Sequence, residues 1–323
     1  MKSTILKPGK ILILCLAVSI HSHAQQTSET FIQETHYLLY LPKDYASDTT
    51  KQWPLVLFLH GSGESGDDLQ KVAAHGPPRL IREGRQFPFI VVSPQTHHDI
   101  GWQPEHVKAL LEDIKKKYRV DNDRIYLTGL SMGGYGTWAT AEKYPEEFAA
   151  IVPICGGGDT AKAWKLQYLP IWVFHGAKDN SVPIASSQAM VDAIKPYNPG
   201  VKFTIYPDAP HDCWTVTYNN DSLYTWLLAQ KRFVYKPITI SQKLLNEYAG
   251  IYVSKTDTVK IEAAGEGLIG RVGNNSYKLT ANTNNSFYLE EHSFNHIEFF
   301  RNPKNKLKGF TLFTDERKTF IRQ

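Results

Sequence analysis

The sequence predicts a doubly wound α/β fold followed by a small antiparallel β domain, on the basis of three observations. Apolar runs alternate with helical patterns between residues 31 and 226. A glycine-rich turn with serine at its centre follows one of these runs. After residue 236 the helical periodicity vanishes, and short apolar segments alternate with Asn- and Gly-rich turns, as in antiparallel sheets.

The predicted strands of the first part are continuous apolar runs, which is typical of parallel sheets buried on both faces. They cover residues 55–59, 89–92, 125–127, 150–154, 171–174 and 201–206. One predicted helix has apolar residues at helical spacing, with Pro104 in its first turn: Val107, Leu110, Leu111, Ile114 and Tyr118. In such a sheet, ligands bind at the carboxyl ends of the strands.

The second part is predicted to be an antiparallel β domain over residues 237–323, after an α/β domain over 25–236. Its predicted strands include residues 259–261, 277–279, 287–289, 297–300 and 310–313. Exposed aromatic residues such as Tyr288 and Phe294 would suit binding to a substrate or a cell surface. We favour the alternative, in which this domain is a packing or stabilising appendage.

The first 24 residues have the pattern of a signal peptide. Lys2, Lys7 and Lys10 precede an apolar run over residues 11–20, and small residues lie at Ser22 and Ala24. The run is about half of the roughly 20 residues that span a bilayer, so no stable membrane anchor is expected. We predict cleavage near Ala24 and a secreted or periplasmic protein.

Charge and cysteine content narrow the class of protein further. The 36 Lys+Arg and 32 Asp+Glu include the three lysines of the leader, so the mature chain is almost neutral. No basic stripe remains to bind nucleic acid or an anionic membrane. Cys155 and Cys213 could form a disulfide in an oxidising compartment, and two small buried thiols are the alternative. The oligomeric state is not set by these features.

The central motif is Gly129-Leu130-Ser131-Met132-Gly133, between a predicted strand and a predicted helix. A serine hydroxyl is a weak nucleophile unless a sharp turn exposes it and a base takes its proton. Glycines on both sides allow such a turn. The pattern therefore indicates a nucleophile elbow with Ser131 as the catalytic serine.

An acid and a base follow Ser131 in the order expected for an α/β-hydrolase. Asp179 lies on the loop after strand 171–174, and His211 on the loop after strand 201–206. We predict that Asp179 orients His211, the base. The alternatives are less suitable, because Asp208 and Asp212 are too close to His211 in sequence. His60 and His175 instead fit roles in binding neighbouring loops.

The oxyanion formed by nucleophilic attack requires fixed N–H donors. The segment His60-Gly61-Ser62-Gly63 ends a predicted strand and offers such groups. We assign the amides of Met132 and Ser62 to the oxyanion hole, with Gly61 or Gly63 as alternatives to Ser62. Trp102 and Trp214 are predicted at the rim of the site as substrate-binding residues, with core packing as the alternative.

These motifs resemble those of a known group of proteins. Two further segments share the resemblance, Pro153-Ile154-Cys155-Gly156-Gly157-Gly158 and His175-Gly176-Ala177-Lys178-Asp179. The group is the secreted phospholipase/carboxylesterase-like α/β-hydrolases, or "predicted peptidases", over about residues 31–232. It is similar in turn to the feruloyl and acetylxylan esterases of carbohydrate esterase family one. The resemblance implies the same triad. The second part weakly resembles a small β domain appended to other serine hydrolases.

We therefore predict a secreted serine carboxylic-ester hydrolase that needs no metal or other cofactor. The resemblance implies acyl or feruloyl esters, including esters linked to plant polysaccharide, as substrates. A serine peptidase of the prolyl-oligopeptidase-like type is the first alternative. The second alternative is a non-catalytic, carbohydrate-binding homologue of these hydrolases.

Overall fold

The computed structural model describes residues 34–97, 99–289 and 292–323, with the backbone alone at 292–293. The predicted signal peptide lies outside these residues. Within the part that is described, no helix has the length and hydropathy needed to cross a membrane.

The first part of the chain folds around a seven-stranded sheet. The strands are β1 (Tyr37–Tyr40), β2 (Trp53–Leu59), β3 (Ile90–Pro94), β4 (Val120–Leu130), β5 (Ala150–Ile154), β6 (Trp172–Gly176) and β7 (Lys202–Tyr206). Their order in the sheet is β1-β3-β2-β4-β5-β6-β7, with β1 antiparallel to β3 and the other pairs parallel. The six predicted strands are thus confirmed, whereas the edge strand β1 was not predicted.

Six helices cover the two faces of this sheet. They are α1 (Gly76–Arg82), α2 (Pro104–Lys117), α3 (Met132–Lys143), α4 (Ala185–Ile194), α5 (Trp214–Asn219) and α6 (Asp221–Ala229). Short 3₁₀ helices lie at Ser62–Glu64, Leu69–Ala74, Pro145–Glu147 and Thr160–Leu166. Alternate residues of β2 enter opposite cores, Leu57 with α2, α3 and α4, and Phe58 with α1, α5 and α6. Burial on both faces explains the continuous apolar runs.

The second part begins with helix α7 (Gln242–Tyr248) and continues as a closed antiparallel barrel of eight strands. The strands are β8 (Gly250–Val253), β9 (Thr258–Ala264), β10 (Gly267–Val272), β11 (Asn275–Ala281), β12 (Ser286–Leu289), β13 (His292–Arg301), β14 (Leu307–Phe313) and β15 (Arg317–Arg322). The predicted antiparallel domain is confirmed. The expectation that helical structure ends at residue 236 is wrong, because α7 lies beyond that residue. This helix is short and buries just Leu245 and Tyr248, so its helical periodicity is weak.

Aromatic residues join the barrel to the first part of the chain. Tyr288 stacks on Tyr235, with ring centroids 4.8 Å apart, and Phe294 lies edge-on to Tyr168 and Phe233. Tyr288 and Phe294 are therefore half-buried, not exposed as the sequence suggested. A cleft of about 430 Å³ beside this contact is lined by both parts, including Lys143 at the end of α3.

Helix α3 packs closely against the ends of two strands because two residues of its first turn, Gly133 and Gly134, are glycines. A Cβ on Gly133 would lie 2.0 Å from the Leu59 carbonyl oxygen. A Cβ on Gly134 would lie 2.3 Å from the carbonyl oxygen of Ile154. Both obstacles are backbone atoms, which cannot rotate away as a side chain can. The glycines thus fix how near the start of α3 lies to β2 and β5.

We expect Gly133→Ala to lower the free energy of unfolding by about 3 kcal/mol, because the added methyl group forces α3 away from β2. Gly63→Ala is the matched control, since in the described part of the chain no heavy atom beyond the adjoining backbone lies within 4 Å of the position of its Cβ. Denaturant unfolding of both variants measures the difference. Equal stabilities would contradict the proposed close packing.

Glu142 of α3 is a buried carboxyl group, 4% exposed, that accepts a hydrogen bond from the Asp159 N–H at 2.8 Å. Burial raises the pKa of this carboxyl group to about 7, although the hydrogen bond from Asp159 acts to lower that pKa. Between the usual pKa of a glutamate and this raised value, Glu142 therefore keeps its proton in the folded state and loses it in the unfolded state. The free energy of unfolding must fall as pH rises between these two values.

Glu142→Gln removes this titration and leaves a side-chain oxygen to accept the same bond. Relative to the wild type, we expect the variant to gain on the order of 3 kcal/mol between pH 4 and pH 8. Urea unfolding at several pH values measures the difference in the free energy of unfolding. A difference that stays constant with pH would show that Glu142 does not titrate in this range.

Candidate active site

Ser131 lies at the sharp turn between β4 and α3, with φ 53° and ψ −116°. A non-glycine residue with positive φ costs on the order of 1–3 kcal/mol and persists where the surrounding structure enforces it. Here the Ser131 N–H donates to the carbonyl oxygen of Ile154 at 2.9 Å. The close approach of Gly133 and Gly134 to β2 and β5 holds the rest of the turn. The local geometry is that of a nucleophile elbow.

His211 and Asp179 lie in hydrogen-bond reach of this serine. His211 Nε2 is 3.0 Å from Ser131 Oγ, and His211 Nδ1 is 2.7 Å from Asp179 Oδ2. The loops that carry His211 and Asp179 are themselves joined, since the Lys178 N–H donates to the Ala209 carbonyl oxygen at 3.0 Å. The three side chains therefore form one continuous chain from carboxylate to hydroxyl.

The Asp179 side chain has no exposed surface, yet several donors surround it. Burial alone would raise the pKa of its carboxyl group. The hydrogen bond from His211 and those from the N–H groups of Val182 and Ser181 outweigh burial and lower that pKa below its usual value. Asp179 thus remains a carboxylate and can only accept the proton on Nδ1, which leaves Nε2 free to accept from Ser131.

The segment after β2 lies beside the elbow and is held by Glu64. The Gly61 N–H donates to Glu64 Oε2 at 2.9 Å, so this amide is already committed. Ser62 and Met132 each begin a helix, so their N–H groups have no acceptor within that helix. Of the alternatives to Ser62 named from the sequence, Gly61 is thereby disfavoured and Gly63 stays open.

The remaining titratable residues near the site have other partners. His60 is buried, which lowers its pKa, and its Nε2 accepts the Thr96 N–H at 3.1 Å. Asp212 accepts the Thr215 N–H at 3.0 Å near the start of α5, and Asp208 pairs with Lys178 on the surface. None of these contacts involves the serine hydroxyl.

His175 is the unexpected neighbour of Asp179. It is fully buried, and its Nε2 lies 3.2 Å from Asp179 Oδ2 and 2.9 Å from the Val182 carbonyl oxygen. Its Nδ1 lies 2.8 Å from Ser187 Oγ. From the sequence, the position of His175 at the end of a strand and before a glycine indicated only that it would bind a neighbouring loop. The sequence could not indicate that this loop carries the acid.

One group in the described part of the chain has the donor types of a metal site. It consists of Cys155, His175 and Asp179, whose donor atoms lie within 4.8 Å of one another. Both ring nitrogens of His175 already have hydrogen-bond partners, and Asp179 Oδ2 is bonded to His211. These residues therefore do not fit a metal ion without loss of the contacts that orient His211.

The two tryptophans predicted at the rim pack beside the site. Trp102 donates from Nε1 to the His60 carbonyl oxygen at 2.9 Å and lies against Gly136. Trp214 is 8% exposed and meets the His211 ring edge-on, with centroids 5.0 Å apart. Both thus support residues of the site, and a role in substrate binding stays a prediction.

Comparison with known proteins gives these residues a context. Residues 95–222, which include Ser131, Asp179 and His211, match the Dienelactone hydrolase family. The chain is 28% identical over 200 residues to the bifunctional acetylxylan esterase/xylanase XynS20E of Neocallimastix patriciarum, covering 58% of this chain and 27% of that protein. It is 26% identical over 188 residues to the probable feruloyl esterase C of Aspergillus terreus, covering 54% and 67%.

A thermostable esterase of known structure is 34% identical to the chain, with a TM-score of 0.53. The match covers 61% of this chain and 59% of that one. The chain thus spans about a quarter of the acetylxylan esterase/xylanase and three fifths of the thermostable esterase. The predicted α/β-hydrolase fold and the resemblance to feruloyl and acetylxylan esterases are confirmed, and the match to the dienelactone hydrolase family is confined to residues 95–222.

Proposed function

We propose that this chain is a serine hydrolase that cleaves carboxylic esters through an acyl-enzyme. The observation that carries the proposal is the continuous hydrogen-bond chain from Asp179 through His211 to Ser131. Ser131 is the nucleophile, His211 the general base, and Asp179 the residue that orients the imidazole. The esterases among the relatives support the choice of an ester as substrate.

In the first half of the reaction, Ser131 Oγ attacks the ester carbonyl carbon while its proton passes to His211 Nε2. His211 then donates that proton to the leaving alkoxide, which departs as an alcohol. In the second half, His211 takes a proton from water as the water oxygen attacks the acyl carbonyl carbon. His211 then returns the proton to Ser131 Oγ as the bond between the acyl group and Ser131 breaks, which releases the carboxylic acid. The Asp179 carboxylate stabilises the imidazolium in both halves without taking its proton.

The developing oxyanion is stabilised by the N–H groups of Met132 and Ser62. Met132 begins the twelve-residue helix α3, whose dipole favours negative charge at this end, and Ser62 begins a short 3₁₀ turn in which its N–H group has no acceptor. Glu64 serves this arrangement indirectly. By binding the Gly61 N–H, it holds the backbone that presents Ser62.

The proposed substrates are acyl or feruloyl esters, including those attached to plant polysaccharide. The connection between β5 and β6 holds one short 3₁₀ helix, Thr160–Leu166, which leaves no room there for a large lid. An open site suits an ester that hangs from a bulky molecule. Trp102 and Trp214 are the aromatic residues that we propose for contact with it. Export through the signal peptide would bring the enzyme to such a substrate.

Ser131→Ala should lower kcat for nitrophenyl acetate by about 10⁴-fold or more, because among the described residues no other hydroxyl is hydrogen-bonded to His211. The thermal unfolding midpoint should change little, since the hydroxyl group is needed for the chemistry alone. Steady-state kinetics and thermal unfolding of wild type and variant measure both. Near-wild-type turnover would mean that another residue is the nucleophile.

A fluorophosphonate probe tests catalytic competence separately. The folded wild type should be labelled at Ser131, and Ser131→Ala should not react. An unlabelled wild type would favour the non-catalytic, carbohydrate-binding alternative.

A substrate panel distinguishes the esterase from the peptidase. We expect nitrophenyl acetate and methyl ferulate to be cleaved with much higher kcat/KM than aminoacyl amides, because an amide has a poorer leaving group. A clear preference for the amides would overturn the ester assignment and favour the peptidase.

A further inference from the structure

Two cysteines meet beneath the proposed active site. Of the three cysteines in the chain, Cys15 lies in the predicted signal peptide. The other two, Cys155 and Cys213, are free thiols in this structure, both completely buried, with their sulfur atoms 2.9 Å apart. Secretion would carry such a pair into a compartment where disulfides form.

The two cysteines lie next to residues whose backbone contacts Ser131 or carries His211. Cys155 follows Ile154, whose carbonyl oxygen binds the Ser131 N–H, and its own N–H donates to the Phe174 carbonyl oxygen at 3.0 Å. Cys213 lies two residues beyond His211, and its N–H donates to the His211 carbonyl oxygen at 2.8 Å. The Cys155 thiol reaches the same carbonyl oxygen at 3.3 Å.

We propose that Cys155 and Cys213 form a disulfide in the mature protein, and that this bond fixes the loop of His211 to β5. The two S–H bonds break and one S–S bond forms, so the pair loses two protons and two electrons. A thiol–disulfide oxidoreductase of the export compartment accepts them, as its own disulfide becomes a dithiol. The positions of Cys155 and Cys213 make them positioning residues for His211.

Burial determines when the bond forms. The contact with Cys213 and burial raise the pKa of the Cys155 thiol, so little thiolate exists in the folded chain. Thiolate is the species that reacts in disulfide exchange. The bond therefore forms during folding, before β5 and the His211 loop close over the sulfur atoms. Once buried, it resists mild reductants for the same reason.

The first test is chemical and needs no enzyme activity. The full chain, purified from an oxidising export compartment, is unfolded and alkylated with or without prior reduction. We expect no alkylation of Cys155 or Cys213 before reduction and alkylation of both afterwards, with a linked peptide in the mass map. Two alkylated thiols in the unreduced sample would overturn the proposal.

The second test is kinetic and rests on the proposed function. Protein refolded with the pair oxidised is compared with protein refolded in reductant. We expect reduction to lower kcat for nitrophenyl acetate several-fold with little change in KM, because His211 is less well placed for proton transfer. The thermal midpoint should fall by about 5 to 10 °C, as is typical for loss of a disulfide in a domain of this size.

The matched control is the double variant Cys155→Ala/Cys213→Ala, whose kcat should not respond to reductant. Equal kcat and equal thermal midpoints for the oxidised and reduced wild type would overturn the positioning role. A linked peptide in a protein that no fluorophosphonate probe labels would instead contradict the proposed function and leave the disulfide intact. The two failures are thus distinguishable.

Discussion

The contact between helix α3 and the ends of β2 and β5 is the constraint on which the site is built. Gly133 and Gly134 let the helix approach backbone carbonyl groups at distances that no Cβ allows. This approach forces Ser131 into positive φ and directs its N–H to Ile154. The strain is local, and the two buried cores on either side of the sheet offset it.

The buried carboxylate of Asp179 is the second constraint, and it connects elements that are far apart in sequence. An isolated charge at this depth would be costly. Donors from His211, Val182 and Ser181 surround it. His175 lies close to Oδ2, the oxygen that His211 binds. Because these donors belong to the loops after β6 and β7, the charge aligns the two loops that the proposed chemistry needs.

The sequence predicted the sheet and the three residues Ser131, Asp179 and His211, since buried strands and the elbow glycines leave local patterns. It missed strand β1, which lies at an edge and is only half-buried. It also missed helix α7 and the closure of the barrel. Closure results from pairing of β8 with β15, at opposite ends of the domain, and such long-range register leaves no local signal. Glu64 was missed because a loop glutamate is ordinarily exposed.

The position of the barrel limits what it can contribute to the proposed reaction. The cleft that it shares with the first part of the chain is lined by Lys143, at the carboxyl end of α3, whereas Ser131 precedes the amino end. Twelve helical residues at 1.5 Å each separate the two ends by about 18 Å. An acyl group bound at Ser131 is therefore out of reach of this cleft. Only an extended substrate such as a polysaccharide could contact both Ser131 and this cleft. Stacking of Tyr288 on Tyr235 supports a stabilising role for the barrel that needs no ligand.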